Sequence, residues 1–352
     1  MITPKTGSFT YLDRVCHIKI HVIAELVNFD VDLKVKQMKI IGTGSSLPKK
    51  VVTNDMLSEF LDTSDEWIFP RTGIKSRFVI SDEDLVKLGA DAARKAIEDA
   101  GIDKSQIDYF ICSNVVNEYM TPGLSCAISQ ELGISAPCID INCACPGFIY
   151  ALDIAETHWL AGKVHNVLIV CAEEPTRMTS WQDRSTCVLF GDGAGAVVLS
   201  DGNNIKGIKL HAEPDVSKIW QKRRLMPTPY ITKEEIDVPL QMMGREVFKF
   251  AVNASTTEVE ALLQEIGMTK DEVSYYMVHQ ANMRIIDAIK KYLAEPEEKF
   301  PSNIRNHGNS SSASCTILLD ECNRKGMFKQ GDILVFSAFG AGLLSAAAVV
   351  EW

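Results

Sequence analysis

The sequence predicts a layered α/β fold built from two copies of one unit, with helices between and outside two sheets. Three observations carry this: helical and strand patterns alternate, the strands are short and apolar, and separated segments recur at one offset. "GIDKSQIDYFICSN", from Gly101, aligns with "GMTKDEVSYYMVHQ", from Gly267, and "VLIVCA", from Val167, aligns with "ILVFSA", from Ile333; both pairs lie 166 residues apart. Gly, Lys and Tyr coincide in the first pair, and the apolar positions match in kind. One offset shared by separated segments indicates internal duplication.

The chain before Met38 reads differently. "HIKIHVIAELVNFDVDLKV" can pair as a strand, but acidic residues interrupt it and no cleavage site follows, so it is not read as a secretory leader. Residues 1–37 are set apart as an N-terminal extension, 38–205 as the first half and 206–352 as the second. "MKIIGTGSSLPKKVVTN" opens the core as an apolar strand, a glycine turn and a proline-containing loop. In "DLVKLGADAARKAIEDAG", Leu85, Leu88, Ala92 and Ala96 share a helical face that Gly101 ends, and the strand "IDYFICSN" follows. "FIYALDIAETHWLAG" then reads as a helix and "VLIVCA" as a strand. "EVFKFAVNASTTEVEALLQEIG" and "VSYYMVHQ" repeat the helix and strand in the second half. "GDGAGAVVL" could cradle a phosphate, but a dinucleotide fingerprint follows a strand and opens a helix. This run enters the strand-like "AVVLS", so it reads as a tight turn, and no nucleotide cofactor is expected.

Composition excludes several roles. With 46% hydrophobic and 23% charged residues the chain has the balance of a soluble protein with a large core. A net charge of −10 without a basic tail argues against nucleic-acid binding, while leaving room for an acidic protein to dock on a local basic patch. Ten scattered cysteines with no C-x-x-C pair read as a reducing, cytoplasmic setting. Nothing approaches a membrane span of roughly 20 apolar residues.

"IDINCACPGFIYAL" raises the chemical question. A disulfide between Cys143 and Cys145 would be strained, and metal sites pair cysteines at wider spacing with further ligands; no His or carboxylate cluster supplies them here. Packing or nucleophilicity remain. Pro146 suits a first helical turn and places Cys145 at a helix N-terminus, where partial positive charge lowers a thiol pKa; Cys143 reads as packing. The offset of 166 maps Ser113 onto His279, and Cys143 and Cys145 onto Asn309 and Ser311. Strand ends and helix starts on one face are where α/β proteins hold ligands, so Cys145, His279 and Asn309 are expected to converge. His279 could equally be a satisfied core residue and Asn309 a turn or cap; their positions favour function. A thiolate with two neutral donors suits acyl transfer through a thioester, the donors stabilising an enolate oxygen.

"TSDEWIFPRTGI", "CACPGF", "FGDGAGAVVL", "VHQAN", "HGNSSSAS" and "FGAG", in this order between Met38 and Trp352, together resemble the β-ketoacyl-acyl-carrier-protein synthase III family of the thiolase-like superfamily. The resemblance implies a five-layered αβαβα fold of two duplicated halves and a homodimer. It implies decarboxylative condensation of an acyl-CoA primer with malonyl-acyl-carrier protein, without a metal or redox cofactor. Cys145 is then the acylated nucleophile, His279 and Asn309 support decarboxylation, and the backbone of Cys145 and Ala341 forms the oxyanion loop. Trp67 and Arg184 resemble the pair that sandwiches the coenzyme A adenine, Arg71 a phosphate contact and Asn282 a pantetheine contact. Thr121 and Phe339 fall at the acyl pocket and Arg284 at the carrier-docking patch, to which "KIWQKRR" (218–224) could add.

Three departures stand out. Ala341 replaces a common glycine and is expected to disturb the loop or narrow the site. Pro146 follows the cysteine where small residues are usual. Thr121 replaces a phenylalanine that, in some relatives, closes the pocket from the partner subunit, implying a primer longer than acetyl. Rival readings are a thiolase-like acyltransferase of secondary metabolism and a hydroxymethylglutaryl-CoA synthase, for which Glu118 is the candidate carboxylate. A non-catalytic subunit binding acyl groups or carrier protein is a further alternative, against which all three polar site residues stand.

Overall fold

The computed structural model describes residues 37–225, 228–230 and 236–352, so the extension expected over 1–37 lies, except for Gln37, outside the described residues. The chain runs β1 (Gln37–Ser46), β2 (Lys50–Thr53), α1 (Asn54–Ser58), α2 (Asp65–Thr72), β3 (Ser76–Val79), α3 (Leu85–Ala100), β4 (Tyr109–Ser113) and α4 (Leu124–Leu132). It continues through β5 (Cys138–Ile141), α5 (Gly147–Leu160), β6 (Val167–Glu173), β7 (Gly193–Gly202), β8 (Ile205–Ala212), β9 (Ile219–Lys222) and β10 (Val238–Met242). It closes with α6 (Gly244–Glu265), β11 (Tyr275–Val278), α7 (Met283–Leu293), α8 (Ile304–His307), α9 (Ala313–Arg324), β12 (Ile333–Gly340) and β13 (Leu344–Glu351).

Two main sheets carry the duplication. One has the order β1-β7-β6-β4-β5 and the other β11-β12-β13-β8. Read from opposite ends, β1, β7, β6 and β4 correspond to β8, β13, β12 and β11. The starts of β4 and β11, of β6 and β12, and of α5 and α9 fall at the offset seen in the sequence.

Side-chain alternation along the strands sorts residues into layers. In β6, Val167, Ile169 and Cys171 pack into a central core with α5 and α9, whereas Leu168, Val170 and Ala172 face α3 and α4. In β12, Leu334, Phe336 and Ala338 join that central core, and Val335 and Phe339 face α6 and α7. The sheets thus enclose α5 and α9 and are covered outside by two helix pairs, giving five layers. Phe148 of α5 meets Phe336 of β12 edge-on, with ring centroids 5.4 Å apart, tying the central layer to the second sheet. Local signals act as expected in α3: the Asp84 side chain accepts from Lys87 N at 2.7 Å, Leu85, Leu88, Ala92 and Ala96 are buried, and Gly101 ends the helix at φ 65°. The "GDGAG" run enters β7 at Gly193. Among the described residues no helix is long and apolar enough to cross a membrane.

Candidate active site

The cysteine turn is clamped between the ends of two strands, one from each sheet. β5 ends at Ile141, Ala144 takes the left-handed φ of 49°, and Pro146 caps α5, which starts at Gly147. A Cβ at Gly147 would lie 2.0 Å from Ser113 Oγ, so the helix start is pressed against the end of β4. A Cβ at Gly340 would lie 2.9 Å from Cys145 N and 2.9 Å from Pro146 Cδ, so the end of β12 closes the other side.

This enclosure overturns the expected thiolate. Burial pushes the Cys145 thiol up from 9.0 to about 12, opposed by the Ser311 side chain and reinforced by the charge of Glu173. A rise of that size represents about 4 kcal/mol, whereas a helix terminus contributes up to about 2 kcal/mol. Cys145 is half-buried, and desolvation there outweighs the helix terminus and disfavours the thiolate. Cys143, half-buried two residues earlier, is also raised by burial.

His279 follows β11 and is buried, with the imidazole pushed down to about 3 by desolvation, so the ring is neutral. Its Nδ1 lies 2.6 Å from Ser314 Oγ, and that oxygen accepts from Gln280 N at 3.3 Å. The Ser314 oxygen can accept from Gln280 N and still donate its own proton to Nδ1; in that tautomer the ring proton resides on Nε2, and His279 is a hydrogen-bond donor. Phe339 stands edge-on to the imidazole, with centroids 5.3 Å apart, and shields it.

Asn309 is oriented in the same sense. Its backbone N–H donates to Leu189 O at 2.8 Å and its carbonyl accepts from Gly191 N at 3.1 Å. Its side-chain Oδ1 accepts from Ser311 N at 2.9 Å. The carbonyl end of the amide is engaged, leaving the NH₂ group for a ligand. Both residues read from the sequence are uncharged and keep one polar atom clear of these contacts.

A carboxylate not singled out in the sequence completes the interior. Glu173 ends β6 and is 1% exposed. It accepts from Ser312 Oγ at 2.6 Å, Ser312 N at 3.3 Å and Val115 N at 3.0 Å, while burial pushes its carboxyl up to about 7. Glu118, the candidate carboxylate of the rival hydroxymethylglutaryl-CoA synthase reading, is exposed in an open groove with Glu83, Glu174 and Arg177. The acidic group acting on Cys145 is Glu173 instead. The signal for it was an acid closing a fully apolar strand in "VLIVCAE".

The loop read from the sequence as the oxyanion loop shows no backbone disturbance at Ala341. Ala341 follows β12 and has no positive φ, so its methyl group meets no backbone penalty. The positions that require glycine are Gly340, by close approach to Cys145, and Gly342, with φ 141°.

The remaining candidates gather on α2, α7 and the loop before β7. The guanidinium carbons of Arg71 and Arg184 lie 4.8 and 4.9 Å from the Trp67 ring centroid. Arg184 is also held by the Asp62 backbone carbonyl and by Asp62 Oδ2 at 3.1 Å. Asn282 caps α7, accepting from Arg284 N at 2.9 Å, and donates to Arg71 O at 3.1 Å, joining the two helices. Arg284 is exposed, with its guanidinium 6.0 Å from the Phe248 ring. Thr121 is exposed on the loop between β4 and α4. Among the described residues no group of three or more His, Cys, Asp and Glu is placed to hold a metal ion.

Comparisons with known proteins agree with this architecture. A family model described as 3-oxoacyl-[acyl-carrier-protein (ACP)] synthase III matches residues 139–214, and one for the C-terminal part of the same enzymes matches 263–352. The β-ketoacyl-[acyl-carrier-protein] synthase III of Clostridium acetobutylicum is 39% identical over 320 residues, covering 90% of this chain and 98% of its own. The crystal structure of the Aquifex aeolicus 3-oxoacyl-[acyl-carrier-protein] synthase III is similar with a TM-score of 0.83 at 38% identity, covering 90% of this chain and all of that one (100%). The priming β-ketosynthase of the R1128 polyketide biosynthetic pathway gives a TM-score of 0.83 at 34% identity, covering 91% of this chain and 98% of its own.

Proposed function

The chain belongs to the 3-oxoacyl-[acyl-carrier-protein] synthase III family, and from that premise we propose how its residues perform the condensation of an acyl-CoA primer with malonyl-acyl-carrier protein. The Cys145 sulfur attacks the primer thioester, a new thioester forms on the enzyme, and free coenzyme A leaves. Malonyl-carrier protein then loses CO2, and the enolate oxygen accepts hydrogen bonds from His279 Nε2–H and the Asn309 NH₂ group. The carbanion attacks the Cys145 thioester, the carbon–sulfur bond to Cys145 breaks, 3-oxoacyl-carrier protein is released, and the Cys145 thiolate takes up one proton from solvent to restore the thiol. Decarboxylation supplies the nucleophile, so the reaction balances without a metal or redox cofactor. The observation that supports this reading is the contact of His279 Nδ1 with Ser314 Oγ and of Asn309 Oδ1 with Ser311 N, which leaves Nε2 and the amide NH₂ group for a substrate oxygen.

The finer assignments belong to the same proposal. Trp67 and Arg184 receive the adenine of coenzyme A, Arg71 its phosphates and Asn282 the pantetheine. A planar ring between Trp67 and Arg184 needs about 7 Å, two contact distances. At 4.9 Å, Arg184 must therefore swing away and release Asp62 on binding. Arg284 contributes to carrier docking, the protein is a cytoplasmic homodimer, and Thr121 leaves the acyl channel open toward the partner.

Incubation with a panel of acyl-CoA thioesters, followed by intact-mass and peptide analysis, tests this reading. One acyl group is expected on Cys145, none on Cys143, and none in Cys145→Ser. His279→Ala and Asn309→Ala should still acylate but decarboxylate malonyl thioester about 10²–10³-fold more slowly. Label on Cys143, or decarboxylation intact in both variants, refutes the assignment.

A further inference from the structure

Five of the described cysteines are buried, and Cys143 and Cys145 belong to the active-site turn. Among the described residues one cysteine is exposed, Cys126 in the first turn of α4. It does not stand alone. Its sulfur lies 3.4 Å from that of Cys138, the first residue of β5. That is contact distance between two free thiols, either of which can donate to the other.

A separate anchor holds the two elements at this distance. Asp140 lies two residues beyond Cys138, on the same face of β5. Its Oδ2 accepts from Leu124 N at 2.6 Å and its Oδ1 from Ser125 N at 2.8 Å, the two residues before Cys126. Asn114 Nδ2 adds a bond to Oδ2 at 3.2 Å. A Cβ at Gly123 would fall 2.8 Å from Asp140 Cγ, so α4 begins as close to β5 as glycine allows. One carboxylate therefore caps α4 and keeps the two sulfurs side by side. The open groove beside Glu118 supplies access, because Cys126 is part of its lining. Acidic side chains, among them Glu83, Glu118 and Glu131, outnumber basic ones in that groove, which favours a cationic reagent.

We propose that Cys126 and Cys138 form a reversible dithiol–disulfide site that clasps the start of α4 to β5 when a low-molecular-weight disulfide oxidises them. The exposed Cys126 thiolate attacks the small disulfide and forms a mixed disulfide. The reagent's S–S bond breaks, and one small thiol leaves with a proton. The Cys138 thiolate then attacks the Cys126 sulfur, the protein disulfide forms, and the second small thiol leaves. Two protein thiols are oxidised and one small disulfide is reduced, so atoms and electrons balance. A reducing setting returns the pair to the dithiol, since exposed disulfides are the labile kind. Neither sulfur belongs to the site around Cys145, so the clasp forms whether or not the condensation proceeds.

Contact with Cys138, and then burial, raise the Cys126 thiol and slow the first attack. The test therefore incubates the full chain for hours with cystamine, a small cationic disulfide, at about pH 8. Peptides are mapped without reduction. One Cys126–Cys138 disulfide within a single chain is expected, with Cys145 still open to acylation by acyl-CoA. The denaturant midpoint should rise, since the bond joins residues 12 apart, and fall back when dithiothreitol reduces it. Cys138→Ser should stop at one reagent fragment on Cys126, and Cys126→Ser should form no clasp; neither should show the rise. The proposal is overturned if wild-type Cys126 and Cys138 stay thiols or the reaction halts at the mixed disulfide. It is equally overturned if the bond joins two chains, if the reagent takes Cys145 and spares the pair, or if the midpoint does not move. A clasp that forms in a protein whose Cys145 takes no acyl group, oxidised or reduced, defeats the condensation reading and leaves this site standing.

Discussion

Removing the Ser314 hydroxyl should weaken one half-reaction and spare the other. In Ser314→Ala, His279 Nδ1 loses its partner at 2.6 Å, and the tautomer that places a proton on Nε2 is no longer favoured. A buried hydrogen bond contributes about 0.5–1.5 kcal/mol net. At about 1.4 kcal/mol per tenfold in rate, decarboxylation should fall about 2- to 12-fold. That is well short of the loss expected for His279→Ala, because the ring remains and still samples the productive tautomer. The variant should also be destabilised by about 1–3 kcal/mol, since the buried Gln280 N–H loses its acceptor. Release of labelled CO2 from malonyl thioester, with single-turnover acylation by acyl-CoA alongside, separates the steps. Unchanged decarboxylation, or an equal fall in acylation, refutes the proposed orientation of His279.

The acyl channel proposed to open at Thr121 predicts that longer or branched primers acylate Cys145 faster than acetyl-CoA, each buried methylene contributing about 0.8 kcal/mol. Thr121→Phe should reverse that order with little effect on acetyl transfer, and an unchanged order in competition assays sinks the assignment. Gly340→Ala should destabilise the protein by about 1–3 kcal/mol and slow acylation, because its methyl would meet Cys145 N and Pro146 Cδ, both at 2.9 Å. Denaturant midpoints and acylation rates equal to wild type would remove the clamp. Glu173 should also shape stability against pH: its folded pKa is raised from 4.5 to about 7, so its contribution is full below 4.5 and declines as pH rises through 7. Glu173→Gln should flatten the fall in unfolding free energy from pH 5 to 8 by up to about 3 kcal/mol; an unchanged slope in urea titrations refutes the buried charge.

The frame was legible because duplication leaves two independent signatures, hydrophobic period and a common offset. The offset alone carries His279 to a strand end and Asn309 to a helix approach. The Trp67–Arg71 contact was also within reach, since residues four apart on a helix share a face. Arg184 meets the same ring from another segment, a contact local periodicity cannot supply. The pull of burial on the Cys145 thiol is not legible in sequence, because proximity to a helix start shows there whereas loss of water depends on three dimensions. Ser314 likewise looks like one of several serines until its hydroxyl is seen on an imidazole nitrogen. Ala341 seemed disruptive only while the glycine requirement was assigned to its position instead of its neighbours.

The sandwiched helix layer also constrains inheritance. α5 and α9 bury their apolar surfaces in a core drawn from both sheets, so neither duplicated segment can enclose its own helix in the same way. Splitting the chain between β7 and β8 would expose that interior on each fragment. The ancestral copies have become interdependent: a destabilising change in either weakens the shared interior, while the polar ends of the helices can diverge. One copy could acquire a sulfur for covalent work and the other donors for charge, with a common fold keeping both in register.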